Sequence, residues 1–300
     1  MNSRYPNIKG LEVDGFRRQL DYLADRFTVI SAEDLIASVN SSSNLPSNPC
    51  LLTFDDGYRD HLLYVLPELQ KRGMKGCFFP SVKPVVERDI LDVNKIHFIL
   101  SVQPDTTVLV DDLKILLLKI QEEFNLDIDI KNTFEAYWVR YAISSKYDSK
   151  EIKFFKSMLQ YVLPNIVRAK ILEILFQRYV SADPFDFASE LYMSLDNVKQ
   201  LVDCGMYVGS HGYRHMWLNN ESSASQAVEI DMSLQFLADV GASTRDWIMC
   251  YPYGGYNDVT LDLLRTRRCL LGLTTKNGFA KIRADSLLEL ARFDTNDFPQ

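Results

Sequence analysis

Three short stretches of this sequence carry residues whose types and spacing could do chemistry. The first is LLTFDDGYRD, in which an apolar run ending at Phe54 meets Asp55, Asp56, Gly57 and Tyr58. Adjacent carboxylates at the end of a strand point in different directions, so one can bind a cation while the other serves as a base. Gly57 permits a sharp turn that brings backbone close to a ligand. Taken alone, Asp-Asp-Gly is equally good turn chemistry. The second stretch is VGSHGYRH, where His211 and His215 are two of only four histidines in the chain. On a helix or turn this spacing puts both imidazoles on one side, as a tetrahedral metal requires. Taken alone, they are as well explained as loop histidines at the surface. The third is WIMCYPYGGYND, where an apolar run gives way to Tyr251, Pro252, Tyr253 and Gly254. A rigid, glycine-flanked loop of this kind can aim a backbone N–H at a developing oxyanion. An ordinary turn would look the same.

The elements that must position these residues alternate. Short apolar runs (RFTVI, CLLTF, GCFFP, MYVGS, WIMCY, LGLTT) are separated by helical patterns such as GFRRQLDYLADRF and SQAVEIDMSLQFLADVG. Strands alternating with helices imply parallel strands and an α/β architecture. Each of the three stretches follows an apolar run, so all three fall at the C-terminal ends of strands, where α/β folds build their sites. One carboxylate and two histidines then make a three-ligand open metal site, and the second carboxylate is free to take a proton. All 13 glycines lie outside residues 77–204. That interior is rich in Leu, Ile, Lys, Glu and Phe at helical spacing, in segments such as VDDLKILLLKIQEEF and IVRAKILEILFQRYV. Residues 1–300 therefore read as one catalytic domain, with 81–192 as a large helical insertion within it.

Composition removes several function classes. A net charge of −7 and a pI near 5.2 disfavour a nucleic-acid partner. No apolar run is long enough for a transmembrane helix. The opening residues lack the apolar segment of a secretory signal, and the five cysteines are scattered, with no CxxC pair. Together these favour a reduced, cytoplasmic setting.

With the three stretches in this order, the sequence resembles the polysaccharide deacetylase family, carbohydrate esterase family four, whose catalytic part is the NodB-homology domain. TFDDG stands at Thr53–Gly57, the Ser-His-x-x-x-His pattern at Ser210, His211 and His215, with Leu218 following, and the aromatic Pro-Tyr-Gly loop at Tyr251–Gly254. The resemblance spans roughly 10–80 and 193–295. It implies a distorted (β/α) barrel, usually of seven strands, and metal-dependent hydrolysis of an N-acyl group on an amino sugar or glycan, in surface-polysaccharide biosynthesis. It assigns Asp56, His211 and His215 to one divalent metal, zinc by default for two histidines and a carboxylate, with cobalt, nickel or iron as alternatives. It assigns Asp55 as general base and the Tyr253 N–H as oxyanion donor. Tyr58, Trp217, Tyr251, Pro252 and Gly254 are candidates for contact with the substrate, Trp217 being equally readable as core.

Two departures stand out. Many members tether the base with an arginine where this chain has Cys250, and many use a late histidine as general acid, whereas no histidine follows His215. Arg292, two residues past Leu290 in a strand-like pattern, is the candidate to replace the tether. His61 and His97 are weaker candidates for the acid. Two rival functions remain: a deformylase or other amide hydrolase of the same family, and a catalytically silent glycan-binding protein.

Overall fold

The computed structural model describes residues 4–8, 10–41, 44–124, 130–144, 148–283 and 286–299. In chain order its elements are α1 (Val13–Arg26), β1 (Thr28–Ile30), α2 (Ala32–Ser41), β2 (Pro49–Leu51), β3 (Thr53–Asp56), α3 (Leu66–Lys71), β4 (Cys77–Pro80), α4 (Val82–Glu87), α5 (Asp92–Val102), α6 (Thr106–Phe124), α7 (Ile130–Tyr141), α8 (Lys150–Ser157), α9 (Asn165–Tyr179), α10 (Pro184–Leu191), α11 (Leu195–Asp203), β5 (Tyr207–Val208), α12 (Ser223–Asp239), β6 (Trp247–Cys250), α13 (Asp258–Thr266), β7 (Cys269–Asn277) and β8 (Leu290–Arg292). A π-helical turn at His61–Val65 leads into α3. The chain forms two compact units: Met1–Gly10 with Ile90–Phe187, and Leu11–Asp89 with Ala188–Gln300.

The second unit is α/β and holds all eight of these strands. Every ladder is parallel: β1 with β2, β3 with β4 and β4 with β5, then β6 with β7 and β7 with β8. A parallel bridge from Ser210 to Met249 links the end of β5 to β6. Spatial order therefore follows chain order, each parallel neighbour being reached by a crossover rather than a hairpin. Among the described residues no ladder joins β8 back to β1, so the hydrogen-bonded strands form an open arc.

Burial on both faces explains why β4, β5 and β6 are apolar along their length. Cys77, Phe79, Tyr207, Ile248, Cys250, Leu271, Leu273 and Leu290 belong to one buried cluster. Their neighbours Phe78, Val208, Trp247 and Met249 belong to another, which includes Leu20 of α1, Leu69 of α3, Leu201 of α11 and Leu237 of α12. Strands buried on both faces cannot alternate apolar with polar. The same period of two puts Thr53 and Asp55 on one face of β3, opposite to Phe54 and Asp56. It also puts Arg292 on the face of Leu290. The helices are started by recognisable caps: the Ser31 hydroxyl accepts from the Asp34 N–H at 3.0 Å, and Ser194 and Asn257 form reciprocal boxes with Asn197 and Thr260.

The first unit is built from helices. On α6, Leu109, Leu113, Leu116, Leu117 and Ile120 are buried at helical spacing. Phe154 of α8 is fully buried, with ring centroids 5.1 Å from Phe134 and 4.9 Å from Trp138. A second aromatic group joins Tyr5, Phe98, Phe176 and Phe187. The described elements between residues 81 and 192 are all helical. Within that stretch the compact unit takes only Ile90–Phe187, and α4, whose Val82 and Val85 pack into the core of the second unit, falls outside it. No helix among the described residues is long and apolar enough to cross a membrane.

Candidate metal centre

The residues singled out by type and spacing meet at the C-terminal ends of β3, β5, β6 and β8. Asp55 and Asp56 close β3. His211 follows the end of β5, and His215 lies four residues on, in a loop rather than a helix. The Nε2 atoms of His211 and His215 lie 3.4 and 3.3 Å from one oxygen of Asp56, Oδ1. That oxygen is buried and accepts no hydrogen bond, and Nδ1 of His215 is likewise buried without one. Buried polar atoms are almost always paired. Three ligand atoms within 4.8 Å of one another, with such an orphan at their centre, fit a cation.

The surroundings fix these ligands. Nδ1 of His211 lies 2.7 Å from the carbonyl oxygen of Cys250, to which it donates, so Nε2 is the atom turned to Asp56. The other carboxylate oxygen of Asp56 accepts from the Tyr58 hydroxyl at 2.9 Å. Asp56, His215 and Tyr253 all have left-handed backbone, at φ 71°, 58° and 57°. Such conformations are costly for residues other than glycine and gather at functional sites. Gly57 (φ 81°) completes the turn after β3, and a Cβ there would stand 2.8 Å from that of Pro80.

Asp55 has a different partner. Arg292 donates from Nη1 to Oδ1 at 3.1 Å and sits 3.0 Å from Oδ2 through Nη2. Nη1 also donates to the Thr53 hydroxyl at 3.3 Å, and Nε to the Thr274 carbonyl at 3.0 Å. The guanidinium is thus held on both edges while it grips the carboxylate as a fork. The strand period explains how an arginine on β8 can stand in for one on β6. Cys250 and Leu290 share one cluster, so residues 250 and 292 approach the same space from two strands.

Charge follows from this geometry. Burial favours protonation of Asp55, but the Arg292 charge outweighs it and holds the pKa below the usual carboxylate range. Burial works the same way on Asp56, where the two histidines win and the pKa falls further. His215 is pushed down to about 4 by burial. His211 is raised: burial opposes its charge, while its contacts with Cys250 and Asp56 favour it. Two anionic carboxylates with one neutral imidazole, at a place that favours positive charge, make a receptive environment for a divalent ion. A second grouping, Asp55 with His211 and Cys250, is the poorer donor set. There the His211 Nδ1 is already engaged, and burial pushes the Cys250 thiol up, away from the thiolate that binds metal.

Several candidates sit differently from the expectation. Tyr251, expected at the substrate surface, is fully buried; its hydroxyl donates to the Leu288 carbonyl at 2.9 Å and its ring stacks on Tyr256. Pro252 is buried beside it. An apolar strand end packed on both faces leaves no room for these two to face solvent. Gly254 (φ 70°) serves the turn, since a Cβ would stand 2.2 Å from the Thr275 hydroxyl. Trp217 stacks on Tyr253, with centroids 4.7 Å apart and planes 3° from parallel, and Tyr253 in turn packs against His215 at 4.5 Å. One face of Trp217 is therefore committed to the protein. His61 packs edge-on against Tyr58 and Phe54, with its pKa pushed down to about 4 by burial. His97 is exposed on α5 in the first unit.

The polysaccharide deacetylase family model matches residues 162–268, a stretch that holds His211, His215 and Tyr253. No curated protein matches the chain significantly. Solved structures with the same fold include the deacetylase PplD of Streptococcus pyogenes in complex with acetate, at 17% identity and a TM-score of 0.58, covering 98% of this chain and 86% of that one. The BpsB deacetylase domain of Bordetella bronchiseptica is 14% identical with a TM-score of 0.54, over 92% of this chain and 82% of its own. A de-N-acetylase from Aggregatibacter actinomycetemcomitans is 15% identical with a TM-score of 0.52, over 94% and 85%.

Proposed function

On the premise that the chain is a member of the polysaccharide deacetylase family, we propose that it is a metal-dependent hydrolase that removes the N-acetyl group from an amino sugar. The observation that carries this reading is the pairing of an orphaned Asp56–His211–His215 set with a separate carboxylate, Asp55, gripped by Arg292. The open arc of strands is read with it as a distorted seven-stranded barrel. β2 and β3, interrupted only at Leu52, count in that reading as one strand.

Asp56, His211 and His215 would hold one divalent cation, zinc being the best match to two imidazoles and a carboxylate, ahead of cobalt, nickel or iron. Such a cation supplies Lewis acidity, polarising the acyl carbonyl and making water a better nucleophile. Asp55 takes a proton from the attacking water as its oxygen bonds to the acyl carbon. Arg292 keeps that carboxylate ionised and its lone pairs aimed. The Tyr253 N–H, fixed by a left-handed backbone and by the Trp217 stack, donates to the oxyanion. When the C–N bond breaks, the amine needs a proton, and no histidine follows His215 in the sequence to give it. Asp55, now protonated, returns the proton it took, so one carboxylate serves as base and then as acid. Tyr58 steadies Asp56, and Trp217, held in its stack on Tyr253, is the aromatic surface offered to the sugar.

The substrate we favour is a nucleotide-linked or lipid-linked amino sugar in the cytoplasm, on the way to a surface glycan. The five free cysteines suit a reducing compartment. Acetate release from N-acetylated amino sugars, with and without a chelator, tests the function. Asp56→Ala, His211→Ala and His215→Ala should each lose metal and activity together. Full metal occupancy in all three variants, or turnover indifferent to the chelator, rejects the reading. Formate released in place of acetate points to the deformylase alternative, and no release at all to a silent binder.

A further inference from the structure

The loop between the two histidines is not helical, so its backbone N–H groups lack the partners a helix would give them. Gly212 (φ 70°) and His215 (φ 58°) bend it at both ends. Its carbonyls are taken from one side: those of Gly212 and Tyr213 accept from the N–H groups of Val82 and Lys83, at 3.2 and 2.9 Å, at the start of α4. The Gly212 N–H donates to the Ser210 hydroxyl at 3.2 Å, and the next two N–H groups are both taken by one residue. Glu229, on α12, is 1% exposed. One of its carboxylate oxygens, Oε2, accepts from the Tyr213 N–H at 3.0 Å and from the Arg214 N–H at 2.8 Å. The other, Oε1, accepts from the Arg214 guanidinium, which partly neutralises the buried charge.

A buried carboxylate outside the reacting set, spending one oxygen on two consecutive amides between two metal ligands, has a purpose that packing alone does not explain. We infer that Glu229 is a positioning residue for the metal centre: its Oε2 holds the 211–215 loop in the strained shape that brings both imidazoles to Asp56. This rests on the metal-site reading above. Reach matters more than charge in this arrangement. A neutral amide oxygen at the same place can still accept both N–H groups, and Arg214, with 43% of its side chain exposed, can turn to solvent. A carboxylate one methylene shorter cannot reach.

Two variants separate these properties. Glu229→Gln keeps the reach and loses the charge; Glu229→Asp keeps the charge and loses the reach. Metal-free protein is titrated with Co²⁺ and Zn²⁺ against a competing chelator, and amide exchange at Tyr213 and Arg214 is followed in the same preparations. Glu229→Asp should bind metal about 10–100-fold more weakly and lose protection at both amides. Glu229→Gln should stay within about threefold of wild type and keep that protection. Wild-type affinity in Glu229→Asp, or a loss in Glu229→Gln as large as in Glu229→Asp, overturns the inference while leaving the metal site standing. A wild-type chain that takes up neither ion overturns both.

Discussion

The strand ends of the second unit and the helices of the first are made from the same kinds of residue under opposite rules. Among the described residues, all seven non-glycine residues with left-handed backbone lie in the second unit, three of them at the metal centre. The first unit has one glycine, Gly10, and among its described residues no such strain. Where only burial is needed, regular helix with an apolar face suffices. Where two carboxylates, two imidazoles and a backbone N–H must converge, the backbone is bent away from its preferred angles and the surroundings hold it there. Chemistry and stability should therefore respond to different substitutions.

The largest expected effect is on the chemistry. Asp55→Asn should leave metal content unchanged and lower turnover by about 10²–10⁴, read from kcat alongside metal analysis. A loss of metal equal to that in Asp56→Ala would mean the two carboxylates have exchanged roles. The helical unit should show the reverse pattern. Phe154→Ala removes a fully buried ring and should cost about 3–5 kcal/mol in a denaturant titration, with metal affinity intact. A parallel fall in metal affinity would blur the division between the units.

Arg292→Met sharpens the comparison from inside the site. Without the guanidinium, burial and the Asp56 charge, which both raise the Asp55 pKa, lose their main opponent and are countered by His211 alone. The acid limb of the kcat/KM profile should move to higher pH, with activity about 10–100-fold lower at neutral pH and metal retained. An unmoved limb would detach Arg292 from the base. The smallest effect concerns His61, kept neutral by burial with a pKa near 4. An unfolded imidazole titrates near 6.5, so from about pH 6.5 down to about 4 the unfolded chain binds the extra proton and stability falls. His61→Leu should reduce the stability lost by metal-free protein between about pH 7 and about pH 5 by about 2 kcal/mol. Equal losses in variant and wild type would show that His61 already titrates normally in the fold.

Much of this arrangement is legible in the sequence because it is written in side chains. Apolar runs mark the strands, and polar residues just past them mark the face where Asp55, Asp56, His211 and His215 gather. What the sequence hides is written in backbone and in distance. Cys250 reads as a lost tether, yet it contributes through its carbonyl, which any residue would carry. Tyr251 looks like part of an aromatic binding loop, but strands packed on both faces bury it. Trp217 reads equally as core or as sugar platform, because its stacking on Tyr253 depends on a turn 36 residues away in sequence. Glu229 sits in a helix with apolar residues on both sides, Val228 and Met232 exposed and Ile230 and Leu237 buried, so its spacing does not tell that it faces inward. The two-residue length of β5 and the break at Leu52 reflect twist and register, which composition does not encode.

The grip of Arg292 on Asp55 also sets an order of events in time. The two residues are 237 positions apart, and the strand bearing Arg292 is the last of the eight described strands. While a ribosome is still making the strands between them, Asp55 has no guanidinium beside it. Every helix of the first unit can already have formed, since helices need only local contacts, whereas so distant a pairing waits for the chain to close. A newly made molecule is therefore folded over most of its length before it is competent, and on refolding the recovery of turnover should trail the recovery of helical signal.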